Sequence, residues 1–230
     1  MSGERLLDAT GLKDGELRGA FFCALVPKID APIDAVEYLL ASPIPLHAAE
    51  VPMPASYTLA PASSEYAPSY TGYVSRVPPG DIIDLLETQI EDTLRLLDGL
   101  SEEDAGFRYA PDKWSVKQIV GHLIDAERVF VFRALSFSRN EPKPLPGYDQ
   151  DEYAQAANFD HRPWRDLLDE FRAVRRATVH FFRGLDEAMM ERTGVANDVT
   201  FTVRALAYIL AGHERHHVYV LRERYLERKT

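Results

Sequence analysis

From Pro79 onward, apolar residues recur every three or four positions, a period that predicts helices rather than strands. The first helix is expected over about Asp81–Leu100, with Ile82, Leu86, Ile90, Leu94 and Leu97 on one face. The second begins at an S-x-x-Q capping box, Ser115 with Gln118, where Trp114 can staple onto Ile119. It runs to about Arg139 along Val116, Val120, Leu123, Phe130, Ala134 and Phe137, and three prolines between Glu141 and Gly147 end it. The third follows Pro163, a first-turn proline, with the stripe Trp164, Leu167 or Leu168, Phe171, Val174, Thr178, Phe181 and Leu185. Gly194–Asp198 reads as a turn, and Thr202 caps a fourth helix. No segment reads as a strand. The expected fold is all-α, a four-helix bundle with one longer connection over 140–162.

The fourth stripe is interrupted. Its inward positions read Val203, Leu206, Leu210, His213, His217 and Val220. Two imidazoles one turn apart diverge by only about 40°. Aimed into a core they are costly unless something binds them, and neutral imidazole is the commonest protein ligand of a divalent metal. His122, at the edge of the apolar stripe of the second helix, is the candidate third ligand. Taken alone, His122 also reads as a partly exposed histidine near a helix start, and the pair as hydrogen-bonded core histidines. Together the three favour a metal. Three imidazoles and no carboxylate would leave one to three open positions, as in catalytic sites.

Other polar residues on the inward faces widen the candidate site. Glu127 sits between Leu123 and Phe130, where an unpaired carboxylate is costly; it is either an ion-pair partner of Arg175 or a pocket acid or base. Asp125 could orient the His122 ring. Arg133, on the face of His122, could meet an anionic substrate or cofactor. His216 points about 100° away from His217 and reads as a surface residue first, with a place beside the ligands or at an interface as the alternatives, and His47, His161 and His180 have no supporting pattern. His213-Glu214-Arg215-His216-His217 also fits H-E-x-x-H, in which Glu214 would be the general base of a zinc protease. Such enzymes commonly take a third ligand well downstream. Glu223 and Glu227 continue the same helix and cannot fold back, so a protease is not expected.

The first part of the chain differs in kind. Ten of the fifteen prolines lie in residues 1–79, so 1–64 is expected to be an irregular or disordered extension and 65–230 the helical domain. A short helix fits Asp34–Ala41. Met53 is an alternative start of translation, in which case 1–52 would not be part of the natural product. Tyr66, Tyr70 and Tyr73 could pin their strip to the domain. A single cysteine, Cys23, excludes an internal disulfide and a Cys-rich zinc cage. The net charge of −10 argues against a nucleic-acid partner. No apolar run reaches the roughly 20 residues that span a bilayer, and Gly19–Val26 is a poor signal peptide, so the expected compartment is the cytoplasm. The expected partner is a small-molecule substrate, with no nucleic acid and no membrane; a homodimer is left open.

Two segments carry a resemblance. Lys113-Trp114-Ser115-Val116-Lys117-Gln118-Ile119-Val120-Gly121-His122-Leu123-Ile124-Asp125 and Gly212-His213-Glu214-Arg215-His216-His217 resemble the DinB/YfiT-like superfamily over roughly 65–228. The resemblance implies a four-helix bundle with a three-histidine divalent-metal site, its ligands His122, His213 and His217. Leu145-Pro146-Gly147-Tyr148-Asp149 looks like the family's connection between its second and third helices, which would bring Tyr148 to the pocket rim. The implied activities are thiol S-transfer, in which the metal lowers the pKa of a low-molecular-weight thiol, or metal-dependent hydrolysis; a non-enzymatic metal-binding or stress-associated protein is the third reading. Zinc, nickel, iron and manganese all fit. An anionic thiol would need a cationic anchor, for which Arg133 and Tyr148 are the candidates, with Glu127 and Arg133 as candidate catalytic groups.

Overall fold

Four long helices carry the architecture: α2 (Ile82–Leu97), α4 (Val116–Ser138), α6 (Trp164–Arg183) and α8 (Val203–Leu221). Around them lie the short helices α1 (Thr71–Val74), α3 (Glu102–Ala105), α5 (Gln150–Ala156) and α7 (Glu187–Glu191). This computed structural model describes residues 57–226, which fall within one compact unit. The extension expected over residues 1–64 is described only from residue 57, and the helix expected at Asp34–Ala41 and the alternative start at Met53 lie outside the described residues.

The helix starts follow local chemistry. Asp81 caps α2, accepting from the amides of Ile83 at 2.7 Å and Asp84 at 3.1 Å. The capping box of α4 is closed both ways: Gln118 N donates to Ser115 Oγ at 3.0 Å and Ser115 N to Gln118 Oε1 at 3.1 Å. Thr202 caps α8 through the Ala205 amide at 3.0 Å. At α6, Pro163 is itself the cap, with an extended backbone, and Trp164 opens the helix.

The buried apolar residues form two clusters, one around Leu86, Phe130, Phe182 and Leu206, the other around Ile90, Ile124, Trp164 and Phe171. A layer of charged and polar side chains lies between them along the helices. Arg175 of α6 grips Glu127 of α4 with two bonds of 2.8 Å and Glu214 of α8 with a third of 2.8 Å. Its Nη1 also donates to the carbonyl of Leu86 in α2 at 3.1 Å. Thr93 and Gln89 of α2 complete the layer, Thr93 Oγ1 donating to Glu214 Oε1 at 2.6 Å and Gln89 Nε2 to Glu214 Oε2. One knot thus ties all four helices. Burial works against the Arg175 charge, but the two carboxylates outweigh it and hold its pKa above the usual value.

Two features depart from the sequence reading. The segment read as a turn is a β-hairpin: β1 (Thr193–Ala196) pairs antiparallel with β2 (Val199–Thr202). Its two-residue turn, Asn197–Asp198, has positive φ at both positions, 52° and 58°, the geometry that matches the twist of paired strands. Two four-residue strands are too short to show alternation, but adjacent Asn and Asp were a signal for such a turn. The hairpin holds the proline-rich loop, with Leu145 N donating to Val195 O at 2.9 Å and Asn197 N to Leu145 O at 3.1 Å. The second feature is Tyr57, which is buried and donates its hydroxyl to the carbonyls of Phe182 (2.8 Å) and Leu185 (2.6 Å). Residues before 65 therefore contribute to the packing of the domain.

Candidate metal centre

α4 and α8 pack side by side, and their facing sides bring three histidines together. His122 Nε2 lies 3.0 Å from His213 Nε2, and His217 Nε2 lies 3.1 Å from it. One nitrogen of each ring falls within 4.8 Å of both others. A tetrahedral ion with zinc–imidazole bonds of about 2.0–2.1 Å would space its ligands by about 3.3 Å, so the observed cluster fits one with a small relaxation. The contacts alone could be hydrogen bonds between neutral rings, but convergence of all three ε-nitrogens is what a shared cation requires.

The surroundings keep these rings neutral. Burial pushes the His122 pKa down to about 4 and that of His217 to about 3, the latter also through its neighbours His122 and His216. His213 is held well below the usual imidazole value by burial, then by His217, His122 and His216. The Trp114 ring lies 4.9 Å from that of His122, and Tyr73 stands edge-on to His213 at 5.2 Å. Tyr225 donates to the Trp114 carbonyl at 2.7 Å, tying the chain beyond α8 to the start of α4.

Glycines let the backbones come close enough. A Cβ on Gly212, beside His213, would lie 2.0 Å from the Tyr73 carbonyl oxygen; one on Gly121, beside His122, would meet the Phe159 ring at 2.4 Å. Gly212→Ala is expected to cost about 1–3 kcal/mol, because the obstruction is backbone and cannot rotate away. Gly72→Ala, with nothing within 4 Å of its Cβ, is the matched control. Equal denaturant midpoints for the two variants would contradict this.

Two clefts reach the cluster. One of about 570 Å³ is lined by Trp114, Ile119, His216, His217 and Tyr225 among others. The other, about 270 Å³, is lined by Tyr73, Phe130, Tyr148 and His213 among others. His216 stacks edge-on to Tyr73 and His217 at 5.5 and 5.1 Å, beside the cluster rather than in it. His161 and His180 are exposed, and His47 lies outside the described residues.

The structure separates the other candidates. Glu127 spends both oxygens on Arg175, the ion pair and not a free pocket acid or base. Glu214 is equally engaged, with Arg175, Thr93 and Gln89, so the protease-base arrangement is not present. The sequence reading missed Glu214 as a structural anion; its place one residue round the helix from His213 was the available sign. Asp125 lies 3.7 Å from Arg128 and makes no hydrogen bond to His122 among the described residues. Arg133 is buried, 5.9 Å from the Phe130 ring, with its Nη2 donating to the Pro146 carbonyl at 3.3 Å. Among the described residues it has no carboxylate partner. Tyr148 lines the same cleft as His213; burial pushes its pKa up to about 12, with the nearby Arg133 charge opposing.

The depressed histidines make a pH prediction for the metal-free protein. Below about pH 6.5 the unfolded chain takes up protons that the folded rings refuse until about pH 4 or 3. Their stabilising contribution is full above pH 6.5 and falls as pH drops through that window, by about 1.4 kcal/mol per pH unit for each ring that stays neutral. Denaturant unfolding with chelator at pH 7.5 and pH 5 should show the loss, and His217→Gln should reduce it. A flat profile would contradict neutral burial.

The fold has known relatives. The family model of the DinB superfamily matches residues 85–221, more than half of the chain. The chain belongs to that superfamily. Among solved structures it is similar to YfiT from Bacillus subtilis, described as "a probable metal-dependent hydrolase with an unusual four-helix bundle topology". The TM-score is 0.55 at 17% identity, over 62% of this chain and 82% of that one, a likeness of fold. No curated protein matches the chain. Among the described residues no helix is long and apolar enough to cross a membrane.

Proposed function

We propose that this protein is a metal-dependent enzyme that transfers a low-molecular-weight thiol to a small electrophile at the His122–His213–His217 centre. The observation that carries the reading is a cluster of three neutral imidazoles, two buried and His217 half-buried, with no carboxylate among its ligand atoms, reached by two clefts. An ion held there, zinc or nickel first and iron or manganese next, supplies Lewis acidity that lowers the pKa of a small nucleophile. Neutral ligands leave its charge uncancelled. His122, His213 and His217 hold the ion; the two clefts admit nucleophile and electrophile. Arg133 is a buried cation without a carboxylate partner among the described residues, suited to anchor an anionic thiol. Tyr148, its pKa near 12, keeps the proton on Oη at neutral pH and can donate it to a bound oxygen. Glu127 acts at a distance, by fixing Arg175 and α4.

Hydrolysis is the second reading, with water in place of the thiol; the likeness to YfiT supports it. Cobalt-loaded protein titrated with bacillithiol, mycothiol, glutathione and coenzyme A separates the two. Transfer predicts an intense sulfur-to-cobalt band with one of them, weakened by Arg133→Ala, and conjugation of monochlorobimane. Hydrolysis predicts no thiol preference but turnover of an ester or amide. If no thiol gives a band, or Arg133→Ala leaves thiol affinity unchanged, the transferase reading falls.

A further inference from the structure

The face of α8 turned away from the histidines borders a third cleft, of about 550 Å³, between α2 and α8. Arg215, Val218, Tyr219 and Arg222 lie about 100–180° round the helix from His213 and His217. The cleft is thus separated from the metal centre by the helix itself.

Its chemistry is unlike the rest of this acidic chain. Arg76, Arg215 and Arg222 all line it. The Asp92 carboxylate, which also lines it, is taken by Arg95. Two of the guanidiniums are held in place: Arg215 Nε donates to the Arg76 carbonyl at 2.8 Å, and Arg76 lies 5.5 Å over the Tyr219 ring. Among the described residues the Arg222 guanidinium has neither a hydrogen bond nor an ion pair. The cleft therefore carries a net positive charge inside a chain of net charge −10.

The second observation is independent of charge. Gln89 also lines this cleft and is only 5% exposed. Its Nε2 donates to the Ala211 carbonyl at 3.1 Å and to Glu214. Both partners are acceptors, so the amide cannot be turned over. Its Oε1 is left buried without a partner. An orphaned acceptor of this kind is costly, and a donor from a cleft occupant would relieve it. Arginines select an anion, and Oε1 selects a hydroxyl beside the anionic group. The cleft volume is that of a small-molecule site.

We infer that the cleft between α2 and α8 binds a small organic anion bearing a hydroxyl group, with Arg76, Arg215 and Arg222 on the anion and Gln89 Oε1 accepting from the hydroxyl. The anion is a carboxylate or a phosphate ester, and matched probes tell them apart. The site stands apart from the proposed activity, so either can fail without the other.

Calorimetric titration of the full chain with malate against succinate, and with glycerol 3-phosphate against methyl phosphate, is the test. In at least one pair the hydroxylated member should bind about tenfold more tightly than its partner, the gain from satisfying one buried acceptor. The pair that does so names the anion. Arg215→Ala/Arg222→Ala, both exposed positions, should weaken that binding at least about tenfold with the unfolding midpoint unchanged. Chelator-stripped protein should bind as the untreated protein does. Equal affinities within both pairs, no binding of any probe, binding untouched by the arginine changes, or binding lost on stripping the metal would each overturn the assignment. The last would place the anion on the histidine centre.

Discussion

Replacing Arg175 by methionine is expected to destabilise the domain by about 3–5 kcal/mol, among the larger effects a single substitution can have. The side chain is 1% exposed and serves two carboxylates that are themselves buried, Glu127 and Glu214. Without it, Glu214 keeps only the Thr93 hydroxyl and the Gln89 amide as donors, and Glu127 keeps none among the described residues. The cost lies in those stranded charges more than in the lost attraction, because a buried ion pair contributes little beyond its own desolvation. A compensated variant, Arg175→Met/Glu127→Leu/Glu214→Leu, should therefore recover most of the stability. Denaturant midpoints of the three proteins decide the matter. A compensated variant no more stable than Arg175→Met would show that the polar layer is held for its geometry and not merely tolerated.

The second large effect is expected at the metal. Zinc in about thousandfold excess over its dissociation constant should stabilise the wild type by about 4 kcal/mol, since the unfolded chain cannot converge the three rings. His213→Ala/His217→Ala should remove that response almost entirely, leaving a single imidazole of the cluster. In the absence of metal the same variant should lose much less, because the rings it removes are neutral. A zinc-induced shift that survives the double change would mean the ion binds elsewhere.

Much of this was legible in the residues. The inward positions of α2 and α4 follow from period alone, and Ile82, Leu86, Ile90, Leu94 and Leu97, then Val116, Val120, Leu123, Phe130, Ala134 and Phe137, are buried. The caps of α4 and α8 were legible because capping is local: a hydroxyl and a backbone amide three residues apart decide it. The histidine set was legible because His213 and His217 violate the stripe they belong to. What was not legible depends on partners far along the chain. The engagement of Glu214 needs Arg175, 39 positions away, and Thr93, 121 positions away. The hairpin escaped because its strands are too short to show a period. Gly121 and Gly212 sit in the very motifs that carry the resemblance, yet their reason, the close approach of Phe159 and Tyr73, exists only in the folded molecule.

The central claim is that His122, His213 and His217 together hold one divalent ion, and elemental analysis tests it most directly. The full chain, purified without chelator and without nickel resin, should carry about one transition-metal ion per molecule. His213→Ala/His217→Ala, prepared in the same way and folded by circular dichroism, should carry almost none. Equal metal content in the two proteins, or none in either after zinc and nickel have both been offered, would contradict the account.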